Sequence, residues 1–354
     1  MVVGGGASGL AFALECARRG IHVRIIDKRP TRSMVEKATG VAAGVWNQLS
    51  HFGVSPKTVA TAIPMRNFIF YDDGKLIANV PVPAIDGDPP AHLYPQGELE
   101  KQLEAALSAN GIQIEYNTEF LSYEETENPV FVTVRNNSGE LTNVGPFDWV
   151  IGADGARSVV RTAANIPFVG RNYPEKWSVA EVATGRWPSN AQAQLYLQSS
   201  GVGLFLSQPT LGVVQGILNA ENVAEELFSH FSDAELRYER HFSVALKRVP
   251  SPRKGRIWLI GDAAHVQSPV GGQGLNLAIW DGITLAEALS AGNLGVERTL
   301  AKRARKVLFF TDFDYRMLAT KHPFIRFVRN KYWAYAAKHP AVARWFFKII
   351  SGVW

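Results

Sequence analysis

The sequence has little cysteine and no long hydrophobic run. Cys16 is the single cysteine among 354 residues, so no intrachain disulfide can form and a reducing compartment is expected. No stretch of about 18 or more uninterrupted apolar residues occurs, and so no membrane-spanning helix is predicted. The chain enters a strand pattern at residue 1 without a cationic leader, and we therefore expect a cytoplasmic protein.

Acidic residues are scarce toward the C-terminal end. Residues 301–354 carry 12 Lys or Arg but only Asp312 and Asp314 as acids, a local charge of +10, whereas residues 1–300 carry −5. The segment 301–354 also holds three of the nine tryptophans. A basic, aromatic helical segment can lie on anionic lipid, or it can be a packed helical cap with a solvated basic face. Peripheral membrane contact through 301–354 is therefore one of two open hypotheses.

The order of the patterns along the chain predicts an α/β fold with a β-sheet insertion. Residues 1–30 indicate strand, glycine turn, helix and strand, with the helix ending at Gly20. Residues 66–82 indicate two strands around an Asp-Asp-Gly turn, and 177–217 an antiparallel meander. The remaining patterns predict helices at 40–52, 96–109 and 275–289, strands at 112–116, 130–135, 147–152 and 257–261, and helices over 297–350 broken at Pro323 and Pro340.

A glycine motif lies between the first strand and the first helix. In Gly4-x-Gly6-x-x-Gly9 the first glycine makes a tight turn, the second lets the backbone approach a pyrophosphate, and the third packs helix on strand. The helix N-terminus, with Ser8, offers free N–H groups to phosphates. Asp27 ends the second strand, where a carboxylate can bind a ribose diol. The pattern predicts a dinucleotide site but does not separate NAD from FAD.

Two later passages also place a carboxylate at the end of a strand. These are "DWVIGADGARSVVR", with Asp154, and "IWLIGDAAHVQSPVGGQGLNLAIWDG", with Asp262. No second Gly-x-Gly-x-x-Gly occurs, which argues against a stable separate NAD(P)H domain. Ser-His-Asp sets, metal-ligand clusters and cysteine pairs are likewise not found.

With the glycine motif, these passages closely resemble the para-hydroxybenzoate hydroxylase-like family of FAD-dependent aromatic hydroxylases, over about residues 1–310. The resemblance, together with the patterns above, implies a Rossmann-like FAD-binding domain interleaved with an antiparallel β-sheet substrate domain and a helical C-terminus. The predicted boundaries are 1–62, 92–170 and 252–300 for the FAD-binding domain, 63–91 and 171–251 for the substrate domain, and 301–354 for the C-terminal segment.

The resemblance also implies the residues that bind FAD. Gly4, Gly6, Gly9 and Asp27 would hold the adenosine half. Lys37 would reach the flavin phosphate or ribityl region, in a place where the family more often has Arg. The other implied cofactor residues are Ser8 at the first helix start, Gln96 at the FAD linker, Asp154 in the Asp-Gly loop, Asp262 by the ribityl chain, and Gly274, Leu275 and Asn276 at the flavin pyrimidine edge.

The implied reaction is hydroxylation of an electron-rich aromatic molecule. In it, NADH or NADPH reduces FAD, dioxygen adds to give a flavin hydroperoxide, and one oxygen atom is transferred to the ring. The Pro269 carbonyl would lie at the flavin edge facing the substrate. No side-chain acid or base is assigned, since His265 in this family usually neighbours the FAD loop.

The substrate is expected between the flavin and the β-sheet insertion. Candidate substrate residues are Gln194, Tyr196, Phe205 and Gln215, although the opposite strand face is open for each. No arginine-and-tyrosine set that would grip a benzoate carboxylate is evident, so apolar or polycyclic aromatics and membrane quinone precursors stay open. The predicted partners are a small aromatic molecule and dioxygen, with no nucleic acid.

Two alternatives to the monooxygenase share the FAD scaffold. One is a reductase of a prenyl lipid, of the geranylgeranyl reductase type, which would suit a membrane-facing C-terminal segment. The other is a protein that keeps FAD for structure only. A flavin-dependent halogenase is disfavoured because its Trp-x-Trp-x-Ile-Pro motif does not occur.

Overall fold

The computed structural model describes residues 1–32, 38–59, 61–126, 129–187, 192–198, 201–210, 212–219 and 223–352. Within these residues the helices are α1 (Ala7–Arg18), α2 (Ala43–Leu49), α3 (Gln96–Ala109), α4 (Val159–Ala163), α5 (Val223–His230), α6 (Gly274–Ser290), α7 (Val296–Leu318), α8 (Pro323–Ala336) and α9 (Pro340–Ile350). The strands are β1 (Val2–Val3), β2 (Ile25–Ile26), β3 (Gly40–Ala42), β4 (Ile63–Pro64), β5 (Asn67–Asp72), β6 (Lys75–Pro81), β7 (Ala91–Leu93), β8 (Ile114–Glu115), β9 (Glu119–Glu125), β10 (Val130–Arg135), β11 (Leu141–Phe147), β12 (Val150–Gly152), β13 (Val169–Ala183), β14 (Gln192–Leu197), β15 (Val202–Ser207), β16 (Val213–Leu218), β17 (Glu235–Arg248), β18 (Arg253–Lys254), β19 (Ile257–Leu259) and β20 (His265–Val266).

A largely parallel sheet organises the glycine-rich parts of the chain. Its strand order is β18-β19-β12-β1-β2-β8, and every pair except β18-β19 is parallel. The four central strands β19, β12, β1 and β2 are short apolar runs such as Val2–Val3 and Ile257–Leu259, buried on both faces as parallel strands require. The carboxyl ends of β1, β2, β12 and β19 therefore meet at one edge of the sheet, where ligands bind in this class of fold.

Helices α1 and α6, which lie far apart in the sequence, pack closely at this edge. A Cβ added to Gly282 on α6 would lie 2.5 Å from the Ser8 carbonyl oxygen on α1. A Cβ added to Gly261 would lie 2.8 Å from Ser8 Oγ, and Gly261 has φ +58°. Glycine at both positions lets residues 257–290 contact the first helix, and the late passage thereby joins the early one.

An eight-stranded sheet forms the second layer, in the order β20-β17-β13-β16-β15-β14-β5-β6. Its neighbours are antiparallel except for β14 and β5, which are parallel with Gln194 opposite Ile69. Strands β14, β15 and β16 form the expected meander, but β13 pairs with β16 and β17 rather than with β14.

The C-terminal helices pack against this second sheet. Trp333 of α8 stacks on Phe70 of β5 with ring centroids 4.0 Å apart, and Phe347 of α9 belongs to the same buried cluster. Arg326 and Arg329 each donate to Asp72 Oδ1 at 2.9 Å, fixing α8 to the end of β5. The inner face of residues 301–352 is therefore packed as a helical cap, in agreement with one of the two hypotheses.

The α/β class, the mixed parallel and antiparallel sheets and the helical C-terminus are confirmed. Helix α3 has the predicted bounds, and the C-terminal helices are interrupted before Pro323 and Pro340 as predicted. The helix predicted over 40–52 is wrong at its start, because residues 40–42 pair with β7 and only then does α2 begin. The domain boundaries stay a prediction. In the described part of the chain, no helix has the length and apolar composition needed to span a bilayer.

Candidate active site

One cavity of about 640 Å³ lies between the parallel sheet and the eight-stranded sheet. We call its two walls the glycine half and the apolar half. The glycine half consists of the loops at the carboxyl ends of β1, β2, β12 and β19 and the start of α6. The apolar half consists of one face of the eight-stranded sheet and the inner faces of α7, α8 and α9. A single cavity thus places a dinucleotide-type loop next to an apolar chamber.

The three motif glycines lie in three different surroundings, and the protein itself requires glycine at two of them. Gly4 has φ +110°, and a Cβ there would lie 2.4 Å from the Ala153 carbonyl oxygen. A Cβ on Gly9 would lie 2.0 Å from the Gly4 carbonyl oxygen, so glycine is needed for the helix to approach the strand. A Cβ on Gly6 would meet only Glu100 Oε1, at 3.9 Å, and Gly6 lines the cavity. Gly6 therefore leaves space for a ligand rather than for protein.

Asp27 lies at the end of β2 and is 5% exposed. Its Oδ2 accepts from the Gly5 N–H at 2.8 Å, and Arg29 binds both carboxylate oxygens. Burial by itself raises the pKa of Asp27, but the hydrogen bonds from Arg29 and Gly5 outweigh it, so the pKa lies below its ordinary value. The carboxylate is thus held ionised at the cavity, as an acceptor for hydroxyl groups must be.

Gln96 begins α3, as predicted, and its amide donates to Glu100 Oε1 at 2.7 Å. Glu100 is 4% exposed, and the same oxygen accepts from the Ala7 N–H at the start of α1. Sequence reasoning missed Glu100. The signal was its spacing, since a charged residue four positions after Gln96 lies on the same helix face as Gln96, and that face is buried.

Asp154 lies in the loop that follows β12. Its Oδ2 accepts from the Val159 and Val160 N–H groups at 2.6 and 3.2 Å, so it orders the turn into α4. Its Oδ1 is buried and has no hydrogen-bond partner among the described residues. Arg161 donates to the Ala156 and Ala263 carbonyls at 2.9 Å each and thereby ties this loop to the one that follows β19. Arg161 is accordingly a loop-fixing residue, while Asp154 offers an acceptor to the cavity.

Asp262 follows β19 and is exposed at the cavity wall. His265, three residues later, does not line the cavity but is buried, with Nε2 at 2.6 Å from Asp281 Oδ2 on α6. Burial lowers the pKa of His265, but the carboxylate of Asp281 more than compensates, and the pKa lies above its usual range. This ion pair fixes the loop that contains Asp262 to α6, so His265 serves to hold that loop in place.

The turn before α6 presents Pro269 and the helix N-terminus to the cavity. The Pro269 carbonyl accepts from the Gly272 N–H at 3.1 Å, and Gly271, with φ +89°, adopts the conformation that this turn requires. Asn276 binds the Ala42 N–H and the Gly272 carbonyl through its side chain, at 2.8 Å each. First-turn N–H groups lack partners within a helix, and α6 has no side-chain cap. The backbone at Gly274, Leu275 and Asn276 can therefore donate to a ligand.

The apolar half is formed by a row of side chains with matched register. Leu195 of β14 lies opposite Leu204 of β15, which lies opposite Ile217 of β16, and all three line the cavity. Helices complete the wall with Leu318, Trp333 and other apolar side chains. This half can enclose a hydrophobic ring system.

Three of the four predicted substrate residues lie on the wrong face of this sheet. Gln194 and Phe205 lie opposite each other, and each is one residue away from a member of the cavity-lining row. Their side chains therefore point to the other face of the sheet, and the Tyr196 side chain lies on that face too. These side chains are buried beneath α5, where Tyr196 donates to Gln194 Oε1 at 2.9 Å. The expectation that they face the substrate is corrected accordingly. A one-residue choice of face, which alternation alone leaves open, caused the error.

Gln215 is on the cavity side of the sheet, opposite Leu206, but it is fully buried behind the lining. Its Oε1 accepts from Thr39 Oγ1 at 2.8 Å, and Gln208 donates to the same hydroxyl at 3.1 Å. Thr39, which does line the cavity, was not predicted. Lys37 lies outside the described residues. The other predicted residues border the cavity except Gly9, which packs beneath the Gly4 turn.

Comparison with known proteins agrees with this architecture. The family model for an FAD binding domain matches residues 1–215 and 218–299. Pentachlorophenol 4-monooxygenase of Sphingobium chlorophenolicum is 29% identical over 322 residues, which cover 85% of this chain and 59% of that protein. A flavin-dependent monooxygenase of Mycobacteroides abscessus is 26% identical over 85% of this chain and 69% of its own length. The crystal structure of p-nitrophenol 4-monooxygenase from Pseudomonas putida has a TM-score of 0.86 at 22% identity, covering 100% of this chain and 98% of that one.

The fold and the glycine half together define a dinucleotide-binding protein. The chain belongs to the FAD binding domain family, and FAD is its cofactor. It spans about three fifths, 59%, of the length of the pentachlorophenol relative.

The residues present fit FAD on structural grounds as well. Gly6 leaves open space at the start of α1, the first turn of α6 carries free N–H groups, and Asp154 Oδ1 is a buried acceptor that lacks a protein partner in the described residues. Pyrophosphate, flavin edge and hydroxyl groups are ligands that such groups bind.

Proposed function

We propose that the protein is an FAD-dependent monooxygenase that uses NADH or NADPH and dioxygen to hydroxylate a hydrophobic aromatic molecule. The observation that carries the proposal is the continuity of the glycine half with the apolar half in one cavity. When bound, FAD supplies the chemistry, accepting electrons from NAD(P)H and activating dioxygen for transfer of one oxygen atom. The names of relatives that act on chlorinated and nitrated phenols support an aromatic substrate.

In this proposal the protein orients the reactants and excludes water. Gly4, Gly6, Ser8, Asp27 and Gln96 would hold the adenosine and pyrophosphate part of FAD, and Gly9 would keep α1 close to the Gly4 turn. Asp154, Asp262 and the α6 N-terminus at Gly274, Leu275 and Asn276 would hold the flavin part, with the Pro269 turn at its edge. The apolar half would then exclude water around the ring, as the chemistry of a reactive oxygen donor needs.

The test is oxidation of NADH or NADPH by the FAD-loaded protein with phenols and heteroaromatics. Stimulated dioxygen uptake and a product heavier by one oxygen atom, labelled from isotopic dioxygen rather than water, are expected. Substrate turnover without dioxygen, with reduction of an alkene, would instead establish the prenyl-lipid reductase. Flavin that no nicotinamide reduces, with any aromatic present, would leave a structural role for FAD.

We further propose that the outer face of α8 contacts anionic membrane surfaces. Phe324, Phe327 and Tyr335 project from one helical face and are 68%, 58% and 55% exposed, and Lys331 lies between them. Aromatic and basic side chains on one face favour an interfacial position on anionic lipid. This proposal keeps the inner face of the segment as a packed cap.

Co-sedimentation with phosphatidylcholine vesicles, with and without phosphatidylglycerol, tests the membrane proposal. Binding only to the anionic vesicles, lost when Phe324 and Phe327 are both replaced by Ser, is expected. Leu141→Ser is the matched control, since Leu141 is 61% exposed on β11. If the unaltered protein binds neither kind of vesicle, membrane contact is refuted.

A further inference from the structure

One acidic side chain stands out in the apolar half of the cavity. Asp314 lies on α7, one helical turn before Leu318, and both residues line the cavity. A Cβ placed on Gly271 would lie 4.0 Å from Asp314 Oδ2. The carboxylate is thus beside the turn that follows Pro269, at the junction of the glycine half and the apolar half.

Asp314 differs from its neighbour Asp312, whose two carboxylate oxygens both have partners within the protein. Asp312 accepts from Arg171 and from the Tyr173 hydroxyl at 2.6 Å each, and Arg316 binds its other oxygen at 3.0 Å. Asp314 has no hydrogen-bond or ion-pair partner among the described residues. Burial alone raises its pKa, to about 6. Asp314 is half-buried and lines the cavity, so its carboxylate is available to accept a hydrogen bond from a ligand that displaces water there.

The charges around Asp314 restrict what that ligand is. Among described residues, the cations that line the cavity are Lys28, Arg29 and Arg157, and all three follow strands of the parallel sheet in the glycine half. The described lining of the apolar half holds no Lys, Arg or His, and Asp314 is its single ionisable group. A substrate carboxylate there would meet no cation and one like charge, whereas an O–H or N–H donor would meet an acceptor.

We propose that Asp314 binds the substrate by accepting a hydrogen bond from its O–H or N–H group, and that the substrate is a phenol or aromatic amine rather than an aromatic carboxylate. This inference rests on the proposed function and deepens it. The apolar row at Leu195, Leu204 and Ile217 would hold the ring, and Asp314 would fix its orientation at the Pro269 turn.

Binding of small probes to the FAD-loaded protein tests this proposal without requiring turnover. The probes are 1-naphthol, 1-naphthylamine, 1-methoxynaphthalene and 1-naphthoate, titrated while the absorption spectrum of the oxidised flavin is recorded. We expect the unaltered protein to bind naphthol or naphthylamine about tenfold or more tightly than either the methyl ether or the carboxylate. The preferred probe of the first two identifies the donor as O–H or N–H.

The variants are Asp314→Asn, Asp314→Glu and, as a control carboxylate remote from the cavity, Glu287→Gln. Asp314→Asn should lose the preference for the donor probe over the methyl ether and gain affinity for naphthoate, while Asp314→Glu keeps part of the preference. Donor binding should weaken as the pH falls through about 6 in the unaltered protein but not in Asp314→Asn, because protonation removes the anionic acceptor. FAD content and thermal unfolding show whether each variant is folded.

Several outcomes would overturn the inference. They are tightest binding of naphthoate, unchanged naphthol affinity in Asp314→Asn, or no response of the unaltered protein to any donor probe. Failure of the proposed function is seen separately, as bound probe without oxygen transfer. Hydroxylation of naphthol by Asp314→Asn with unaltered KM would retain the monooxygenase and remove Asp314 from the substrate site.

Discussion

Backbone atoms form much of the glycine half of the cavity, whereas side chains form the apolar half. In the first, glycine is dictated at Gly4 and Gly9 by distances of a few ångströms to main-chain atoms and, at Gly4, by a positive φ. In the second, the wall is a row of leucine, isoleucine and aromatic side chains. Packing tolerates exchange of such side chains for others of similar volume. Under the proposed function, a constrained glycine half that binds the cofactor and an adjustable apolar half that binds the substrate would let one fold serve many substrates.

The largest effect is expected from Gly9→Ala, which tests whether the glycine half is fixed by backbone contact. Its Cβ would lie 2.0 Å from the Gly4 carbonyl oxygen, so α1 must move away from β1. We expect the free energy of unfolding to fall by roughly 3 kcal/mol or more, measured by denaturant titration without FAD.

Gly6→Ala is the matched variant, since its Cβ would meet no protein atom closer than 3.9 Å. It should unfold like the unaltered protein without FAD yet bind FAD at least about tenfold more weakly, a loss of about 1.4 kcal/mol. Equal FAD affinity in Gly6→Ala would show that the pyrophosphate does not approach this residue.

Asp27→Ala should weaken FAD binding by roughly 1.5–3 kcal/mol, because it would remove the charge-assisted hydrogen bonds that we propose between this carboxylate and the cofactor. Fluorescence titration of the apoprotein with FAD measures the change. Glu115→Ala serves as the control, since Glu115 is exposed on the adjacent strand β8 and pairs with Arg24. Unchanged affinity in Asp27→Ala would remove Asp27 from the cofactor site.

Asp314 lies where the glycine half meets the apolar half, and Asp314→Asn should change the free energy of unfolding by an amount that depends on pH. Burial raises the pKa of Asp314 to about 6 from an ordinary value near 3.8, so ionisation is costlier in the folded protein than in the unfolded chain. This cost is absent below pH 3.8, grows between pH 3.8 and 6, and is constant above.

The variant should therefore be more stable than the unaltered protein by about 1–2 kcal/mol at pH 8, after discounting for partial exposure, and equal to it near pH 4. Denaturant unfolding at pH 4, 6 and 8, at equal FAD occupancy, gives the difference. A stability difference that does not change with pH would show that Asp314 ionises freely.

The smallest effect is expected from two variants that compare the two faces of the eight-stranded sheet. Leu204→Ala enlarges the cavity and should raise the KM for an aromatic substrate several-fold, about 1 kcal/mol. Tyr196→Phe removes a hydroxyl on the reverse face and should leave KM unchanged while costing about 1 kcal/mol of stability. Steady-state kinetics on one substrate separate them, and a larger KM change in Tyr196→Phe would reverse the assignment of faces.

Much of the glycine half could be predicted from the sequence, because its constraints are local. A turn with positive φ requires glycine at Gly4, and the carboxyl ends of parallel strands meet at one edge wherever the strands lie in the sequence. The passage from 257 to 282 could thus be assigned next to the first helix. Glu100 was missed because its role depends on α3 packing against the start of α1.

What the sequence by itself determined is the α/β class, the dinucleotide loop and the placement of Asp154 and Asp262 at strand ends, since short-range backbone geometry dictates each. Only the tertiary structure decided which face of β14 and β15 lines the cavity, because alternation is the same for both faces and α5 covers one of them. It also brought Asp314, 40 residues after Gly274, to the Pro269 turn. Long-range packing determines the position of Asp314 in the cavity, and the residue pattern within α7 does not predict it.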